Sequence, residues 1–193
     1  MAPYLEQSHV ARTVFDASVA VFLAAELLLT LRRRPSAAAD LRSEVVFRVV
    51  FFAAILMLPV GRLLVPSARI GGGAVVFALG AAVAWLGVLL RWWSVATLGS
   101  YFTTVVRTSG DQRVVDRGPY RVLRHPAYTG LLLAFVGCGV MVGSWVSLAG
   151  SFVLALAGLV YRMRVEEHAL VAALGDAYRD FARGRARLVP FVW

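Results

Sequence analysis

The sequence contains no lysine, and all 20 of its basic residues are arginine. Charged residues make up only 16% of the 193 residues, whereas hydrophobic residues make up 60%. A soluble domain usually has about 25% charged and about 45–50% apolar residues. The composition therefore excludes an ordinary soluble domain and indicates an integral membrane protein. The net charge of +9 does not indicate a nucleic-acid partner, because the arginines lie between long apolar runs.

The chain has a single cysteine, Cys138, which excludes an internal disulfide framework and a cysteine-rich metal site. Because this cysteine lies in an apolar run, we expect it to pack as a small hydrophobic residue. The sequence also lacks a P-loop, a glycine-rich dinucleotide motif, a nucleophile elbow and a cluster of metal ligands. These absences exclude several common enzyme classes and predict no metal site.

Five apolar segments approach the length of about 20 residues that a helix needs to cross a bilayer. A Gly143-Ser144 turn between the last two predicts a tight antiparallel hairpin. The fold class predicted is an all-α membrane protein with about five transmembrane helices in a single domain. The predicted spans are 14–31, 45–65, 74–90, 127–144 and 145–161.

Arginine-rich and arginine-poor loops alternate along the chain, which is typical of multi-pass membrane proteins. The distribution predicts an N-terminus outside and a C-terminus in the cytoplasm, so both polar stretches of the second half are cytoplasmic. An Ala- and Arg-rich composition favours a bacterial inner membrane. Asp16 and Glu26 lie near the ends of the first span, and we expect both side chains to reach water there.

The first polar stretch leads into the fourth span through Arg124, His125 and Pro126. Proline is favoured in the first turn of a helix, so the helix is predicted to begin there. Arg124 and His125 would then lie beside free backbone N–H groups that favour an anion, with Tyr128 about one turn further on. The alternative is a helix cap that contacts lipid headgroups.

The second polar stretch places Arg162 and Glu166 four residues apart at the end of the fifth span. This spacing puts both side chains on one helical face. An arginine offers paired donors to a carboxylate, and a glutamate can hold a cationic group, so the pair suits a zwitterionic ligand. The alternative is a plain helical ion pair. A Leu170, Leu174 and Tyr178 stripe at helical spacing predicts packing.

Both stretches together, in this order after three hydrophobic spans, resemble the isoprenylcysteine carboxyl methyltransferase family and its wider group of phospholipid N-methyltransferases. The resemblance covers about half of the chain, from Tyr101 to Trp193, and makes 96–193 the catalytic half behind three N-terminal spans in 1–95. The matching positions are Gly118, Pro119, Tyr120, 124–130, Arg162, Glu166, Glu167, Leu170, Gly175, Tyr178, Pro190 and Phe191.

The resemblance implies S-adenosylmethionine as the methyl donor, in a cytoplasmic pocket between the loop before the fourth span and the C-terminal helix. It also implies that Arg162 and Glu166 are catalytic, with Arg162 on the substrate side. Gln112 stands where many members carry histidine, which leaves the methyl acceptor open. The implied cofactor-binding residues are Gln112, Arg113, Val114, Val115, Tyr120, Arg124, His125, Pro126, Ala127, Tyr128, Glu166 and Glu167.

The function expected from these features is carboxyl O-methylation of an isoprenylcysteine-like or other lipophilic carboxylate, with prenylated molecules and membrane lipids as partners. The alternative is N-methylation of a phospholipid headgroup with the same donor. Two weaker alternatives are an NADPH-dependent sterol reductase, for which the chain is short, and a non-enzymatic scaffold or transporter. A transporter should show repeats and mid-membrane charges, which this sequence lacks.

Overall fold

The computed structural model describes residues 3–31, 41–99 and 114–190, and its regular elements in these ranges are all helical. Seven α-helices and one short 3₁₀ turn, Gly118–Arg121, make up the described chain. The α-helices are α1 (Tyr4–Gln7), α2 (His9–Leu31), α3 (Leu41–Leu64), α4 (Gly73–Leu98), α5 (Pro126–Val142), α6 (Trp145–Leu174) and α7 (Asp176–Arg183).

The long helices match the predicted apolar segments, although α4 and α6 extend beyond the predicted ends. Three helices, α3, α4 and α6, are long and apolar enough to cross a membrane, while α5 is a shorter apolar helix. Large apolar side chains such as Phe52 and Leu86 are about 60% exposed on their outer faces. A surface of this kind is typical of an integral membrane protein. The total of five spans and their orientation stay predictions.

Helices α4 and α5 pack in close antiparallel contact because glycines lie on both facing surfaces. Gly80 and Gly87 of α4 face Gly137 and Gly130 of α5. A Cβ added to Gly130 would lie 2.8 Å from the backbone nitrogen of Arg91, so a larger residue would push the helices apart. Small residues at such contacts are typical of helix packing in membranes.

Helices α3 and α6 also run antiparallel, with their contact continued from one end to the other. Ser147 near the start of α6 donates a hydrogen bond to the Leu58 carbonyl at 2.6 Å. Further along α6, Gly158 packs against Val50 of α3. The antiparallel arrangement brings the second half of α6 beside the N-terminal end of α3.

The predicted hairpin between α5 and α6 is confirmed. Gly143 has a φ of 71°, in the left-handed region that favours glycine. Ser144 then caps α6, because its side chain accepts a hydrogen bond from the Ser147 N–H at 3.2 Å. The tight turn places the start of α5 and the polar second half of α6 at the same end of the bundle.

An apolar cavity that is partly open to its surroundings lies inside the bundle between α2, α3, α4 and α5. Across it, the Trp85 indole N–H donates to the Ser18 hydroxyl at 3.1 Å and so ties α4 to α2. Cys138 lines the cavity, as expected for a cysteine in an apolar run. The other lining residues include Phe15, Val19, Phe22, Leu23, Ile55, Leu58, Ala84, Val88, Leu131, Ala134, Phe135 and Met141.

Candidate active site

The predicted helix start at Pro126 is confirmed, and it buries His125. Pro126 is the first residue of α5, and His125 is the residue before it. The His125 side chain is 4% exposed. Its ring stacks on the ring of Tyr128, with centroids 5.5 Å apart and planes at 10°. The stacking fixes the direction in which both side chains point into the polar end of the bundle.

A C-terminal segment, 184–190, lies alongside the residues that precede α5. The Arg124 and His125 N–H groups donate to the carbonyls of Ala186 and Arg187 at 2.8 and 3.1 Å. The Thr129 hydroxyl donates to the Leu188 carbonyl at 2.7 Å. These bonds satisfy backbone groups that the sequence left free, so the segment holds the start of α5 in place.

Glu167 binds three basic side chains and is largely buried. Its carboxylate lies 3.4 Å from Arg124, 3.3 Å from the His125 Nε2 and 3.0 Å from Arg187. Because Arg187 belongs to the C-terminal segment, Glu167 ties α6, the His125 loop and that segment together. Its implied role in cofactor binding stays a prediction. Its contacts are those of a residue that positions the three basic side chains.

Glu166 points in a different direction and is more open to solvent. Its Oε2 accepts a hydrogen bond from the Tyr128 hydroxyl at 2.7 Å and lies 4.0 Å from the His125 Nδ1. The carboxylate is thus held on one side and exposed on the other. An exposed, oriented carboxylate of this kind can bind a cationic group of a ligand.

Arg162 is 3% exposed, and the structure gives it partners on α3 that sequence spacing does not reveal. Its Nη1 donates to the Ser43 hydroxyl at 3.2 Å and lies 3.3 Å from the Glu44 carboxylate. The guanidinium carbon is 5.9 Å from the centre of the Phe47 ring. Arg162 also interacts electrostatically with the Tyr128 hydroxyl. One polar network therefore runs from Glu44 through Arg162 and Tyr128 to Glu166.

Two tyrosines close the site from the side of α7. Tyr120 and Tyr178 pack with Phe181 in one buried cluster. Burial and the nearby Glu166 charge raise the pKa of Tyr120, and burial with the Glu167 and Glu166 charges raises the pKa of Tyr178. Both phenols are therefore neutral at physiological pH. The buried Tyr178 hydroxyl has no hydrogen-bond partner among the described residues.

Glu26 was expected to reach water, and its side chain is 22% exposed, but it also has a partner inside the bundle. Glu26 of α2 forms a two-pronged ion pair with Arg91 of α4, and the Arg91 Nη2 donates to its Oε2 at 2.6 Å. Arg91 also donates to the Ala127 carbonyl at 3.5 Å. The carboxylate turned inward because α4 presents a buried guanidinium at the same level, which sequence spacing could not show.

The remaining predicted residues divide into two groups. Val114 packs against the Tyr120 cluster, with Val115 next to it in the chain, while Pro126 and Ala127 are buried at the start of α5. Gln112 and Arg113 lie outside the described residues. A signal for Glu44 existed in its spacing of four residues from Arg48, whereas nothing in the sequence paired it with Arg162.

Comparison with known proteins identifies a family for slightly more than half of the chain. The model of the phospholipid methyltransferase family matches residues 75–177. Protein-S-isoprenylcysteine O-methyltransferase B of Arabidopsis thaliana is 32% identical over 109 residues, which cover 55% of each chain. Methanethiol S-methyltransferase of Mycobacterium tuberculosis is 36% identical over 75 residues, 37% of this chain and 28% of the relative.

The fold is similar to that of a solved membrane protein. The eukaryotic intramembrane Ras methyltransferase ICMT superposes with a TM-score of 0.61 at 21% identity, over 76% of this chain and 52% of that chain. The chain spans about half the length of the curated isoprenylcysteine methyltransferases that it matches. The family match covers more than half of the 193 residues and includes most of the polar network. The chain therefore belongs to the phospholipid methyltransferase family.

Proposed function

We propose that the protein is an integral membrane methyltransferase that transfers a methyl group from S-adenosylmethionine to the carboxylate of an isoprenylcysteine-like or other lipophilic acceptor. The observation that carries the proposal is the network of Glu44, Arg162, Tyr128 and Glu166 beside an apolar cavity. Leu131, which lines that cavity, lies three residues after Tyr128 on α5. A charged head and a hydrocarbon tail of one molecule could thus be bound at neighbouring positions.

The residues of the site suit the proposed donor, and this is supported by the Tyr178 hydroxyl, which lacks a partner within the described part of the chain. A buried hydroxyl without a partner is costly, so a ligand group that binds it would gain free energy. Glu166 would hold the donor ammonium, and the Arg124 guanidinium would hold its carboxylate. S-adenosylmethionine, when bound, supplies a methyl group on a positively charged sulfur.

Arg162 is the residue proposed to orient the acceptor carboxylate. Its planar guanidinium has five N–H donors, so it could bind an acceptor carboxylate beside its present partners or in exchange for one of them. A carboxylate is already nucleophilic at neutral pH, so the site needs no strong base. Burial of Arg162 excludes water and fixes the direction of its donors, which lowers the entropy cost of aligning the acceptor.

The apolar cavity is proposed to hold the hydrocarbon part of the acceptor. Its lining is almost entirely apolar, and such pockets bind lipophilic groups. Entry from the side, between membrane helices, would bring the acceptor to Arg162 while the donor enters from the polar end of the bundle. On the predicted orientation, that polar end is cytoplasmic.

The test is the chemical fate of a labelled methyl group. The protein, purified in mild detergent, would receive methyl-labelled S-adenosylmethionine and either a prenylcysteine analogue or a membrane lipid extract, followed by alkali. We expect label to be released as volatile methanol, because alkali cleaves a methyl ester. No transfer to any carboxylate acceptor would contradict the proposal.

A second candidate function is methylation of a phospholipid headgroup amine, which the match to the phospholipid methyltransferase family favours. Donor and site would be the same, and Glu166 would serve as the base for the amine proton. In the same experiment, this activity would leave label in the lipid after alkali. The two candidates are therefore distinguished by one set of products.

A further inference from the structure

We propose that Glu44 is an internal competitor for Arg162, which sets how tightly the protein binds a carboxylate acceptor and helps to release the methylated product. This inference rests on the proposed function and names a residue of the N-terminal half that determines specificity. It is based on the buried Glu44–Arg162 pair, because Arg162 also interacts with Tyr128 of the candidate active site.

The side chains of Glu44 and Arg162 are both buried. The Arg162 side chain is 3% exposed and that of Glu44 is 9% exposed, with nitrogen and oxygen 3.3 Å apart. A guanidinium at this depth needs a carboxylate or a similar partner, because an uncompensated buried charge is strongly unfavourable. Glu44 supplies that partner when no acceptor is bound.

Glu44 binds a second arginine, Arg48, as well as Arg162. The other oxygen of Glu44, Oε1, accepts from the Arg48 Nε at 2.8 Å and lies 2.7 Å from its Nη2. Arg48 is 50% exposed, so water screens that side of the carboxylate. The charge of Glu44 is thus divided between an outer, solvated arginine and the inner Arg162.

Glu44 and the acceptor carboxylate would compete for the Arg162 guanidinium. An acceptor carboxylate on Arg162 would lie near the Glu44 carboxylate, and two like charges repel more strongly in a buried site than in water. Methylation removes the negative charge of the acceptor, whereas Glu44 keeps its own. Arg162 then binds Glu44 in preference to the neutral ester, which favours departure of the product.

The experiment measures the KM of the full-length protein for a prenylcysteine analogue in Glu44→Gln and in Arg48→Gln. Glu44→Gln removes the competing charge but keeps an amide of the same shape, so we expect the KM to fall about tenfold. Arg48→Gln removes the outer arginine that shares the Glu44 carboxylate, so Glu44 should hold Arg162 more strongly and we expect the KM to rise about threefold. Opposite directions are expected because the two changes act oppositely on one carboxylate.

Two controls separate competition from a structural role. Binding of S-adenosylhomocysteine reports whether each variant keeps its donor site. The prenylcysteine amide, which has no negative charge, should inhibit Glu44→Gln and wild type equally. If Glu44→Gln fails to fold, Arg48→Gln at its exposed site still tests the proposal, and an unchanged KM there would overturn it.

The remaining outcomes are also decisive. A KM that is unchanged or raised in a folded Glu44→Gln would show that Glu44 positions Arg162 and does not compete for it. Such a result, with methyl ester still produced by wild type, overturns this inference alone. If wild type forms no methyl ester at all, the proposed function fails and the inference fails with it.

Discussion

Two arginine–glutamate pairs join long helices of the bundle near its polar end, and their arginines differ in the other contacts that they make. In each pair the helix later in the chain supplies the arginine and an earlier helix supplies the glutamate: Arg91 of α4 with Glu26 of α2, and Arg162 of α6 with Glu44 of α3. Beyond its glutamate, Arg91 donates a hydrogen bond to a backbone carbonyl, whereas Arg162 donates to the Ser43 hydroxyl and interacts electrostatically with the Tyr128 hydroxyl.

The difference separates a pair that holds two helices together from a pair that is proposed to bind a ligand. A guanidinium that ends on a backbone carbonyl fixes the distance between helices, because that carbonyl cannot change its charge or leave. A guanidinium that ends on a side-chain network can exchange partners with a ligand. One arginine–glutamate pair thus holds α2 to α4, whereas the arginine of the other pair is expected to bind an acceptor.

The largest effect is expected for Arg162→Ala. The loss of a charge-assisted contact to the acceptor costs about 2–5 kcal/mol, so kcat/KM should fall by at least about 30-fold. S-adenosylhomocysteine binding should persist, because Arg162 is proposed to lie on the acceptor side. Steady-state methyl transfer and calorimetry of S-adenosylhomocysteine binding check this, and near-normal turnover would remove Arg162 from the site.

A smaller effect, of a different kind, is expected for Arg91→Ala. Removing one partner of a buried pair leaves Glu26 without compensation, and the free energy of unfolding should drop by about 3 kcal/mol. Activity per folded molecule should stay within about threefold of wild type, since the hydrogen bonds of Arg91 go to Glu26 and to a backbone carbonyl. Thermal unfolding in detergent, beside activity of the folded fraction, provides the measurement. A loss of turnover equal to that of Arg162→Ala would erase the distinction between the pairs.

The smallest effect is expected for Val19→Phe, a change on α2 at the wall of the apolar cavity. The larger ring narrows the apolar cavity that Val19 lines, so the KM for a long-chain acceptor should rise a few-fold while a short-chain acceptor is unaffected. Val21→Phe is the matched control, because Val21 is exposed on the outer surface of the same helix. Equal changes for both acceptor lengths, or for both variants, would show that this cavity does not receive the chain.

Local patterns predicted the elements of the second half well. Proline at 126 and the Gly143-Ser144 pair specify a helix start and a turn through their own backbone preferences, and both are confirmed. Apolar runs predicted the long helices for the same reason, because a bilayer demands length and hydrophobicity from each segment separately. These features need no knowledge of neighbours in space.

The contacts between distant segments could not be predicted. Glu44 and Arg162 are 118 residues apart, and only the antiparallel packing of α3 on α6 brings them together. Glu26 was expected to reach water because its sequence neighbours say nothing of Arg91. Tyr178 was assigned to packing, which is confirmed for its ring, while its unpaired hydroxyl emerged only from the three-dimensional arrangement.

The pairing of the C-terminal segment with the His125 loop has a consequence for the timing of synthesis. Arg124 bonds to Arg185, a partner 61 residues later in the chain. At about 5–20 residues per second, roughly 3–12 seconds separate the two on the ribosome. During that interval, α5 and α6 leave the ribosome while the backbone of the loop still lacks its partners. The order of translation thus delays assembly of the site until the helices around it have been made.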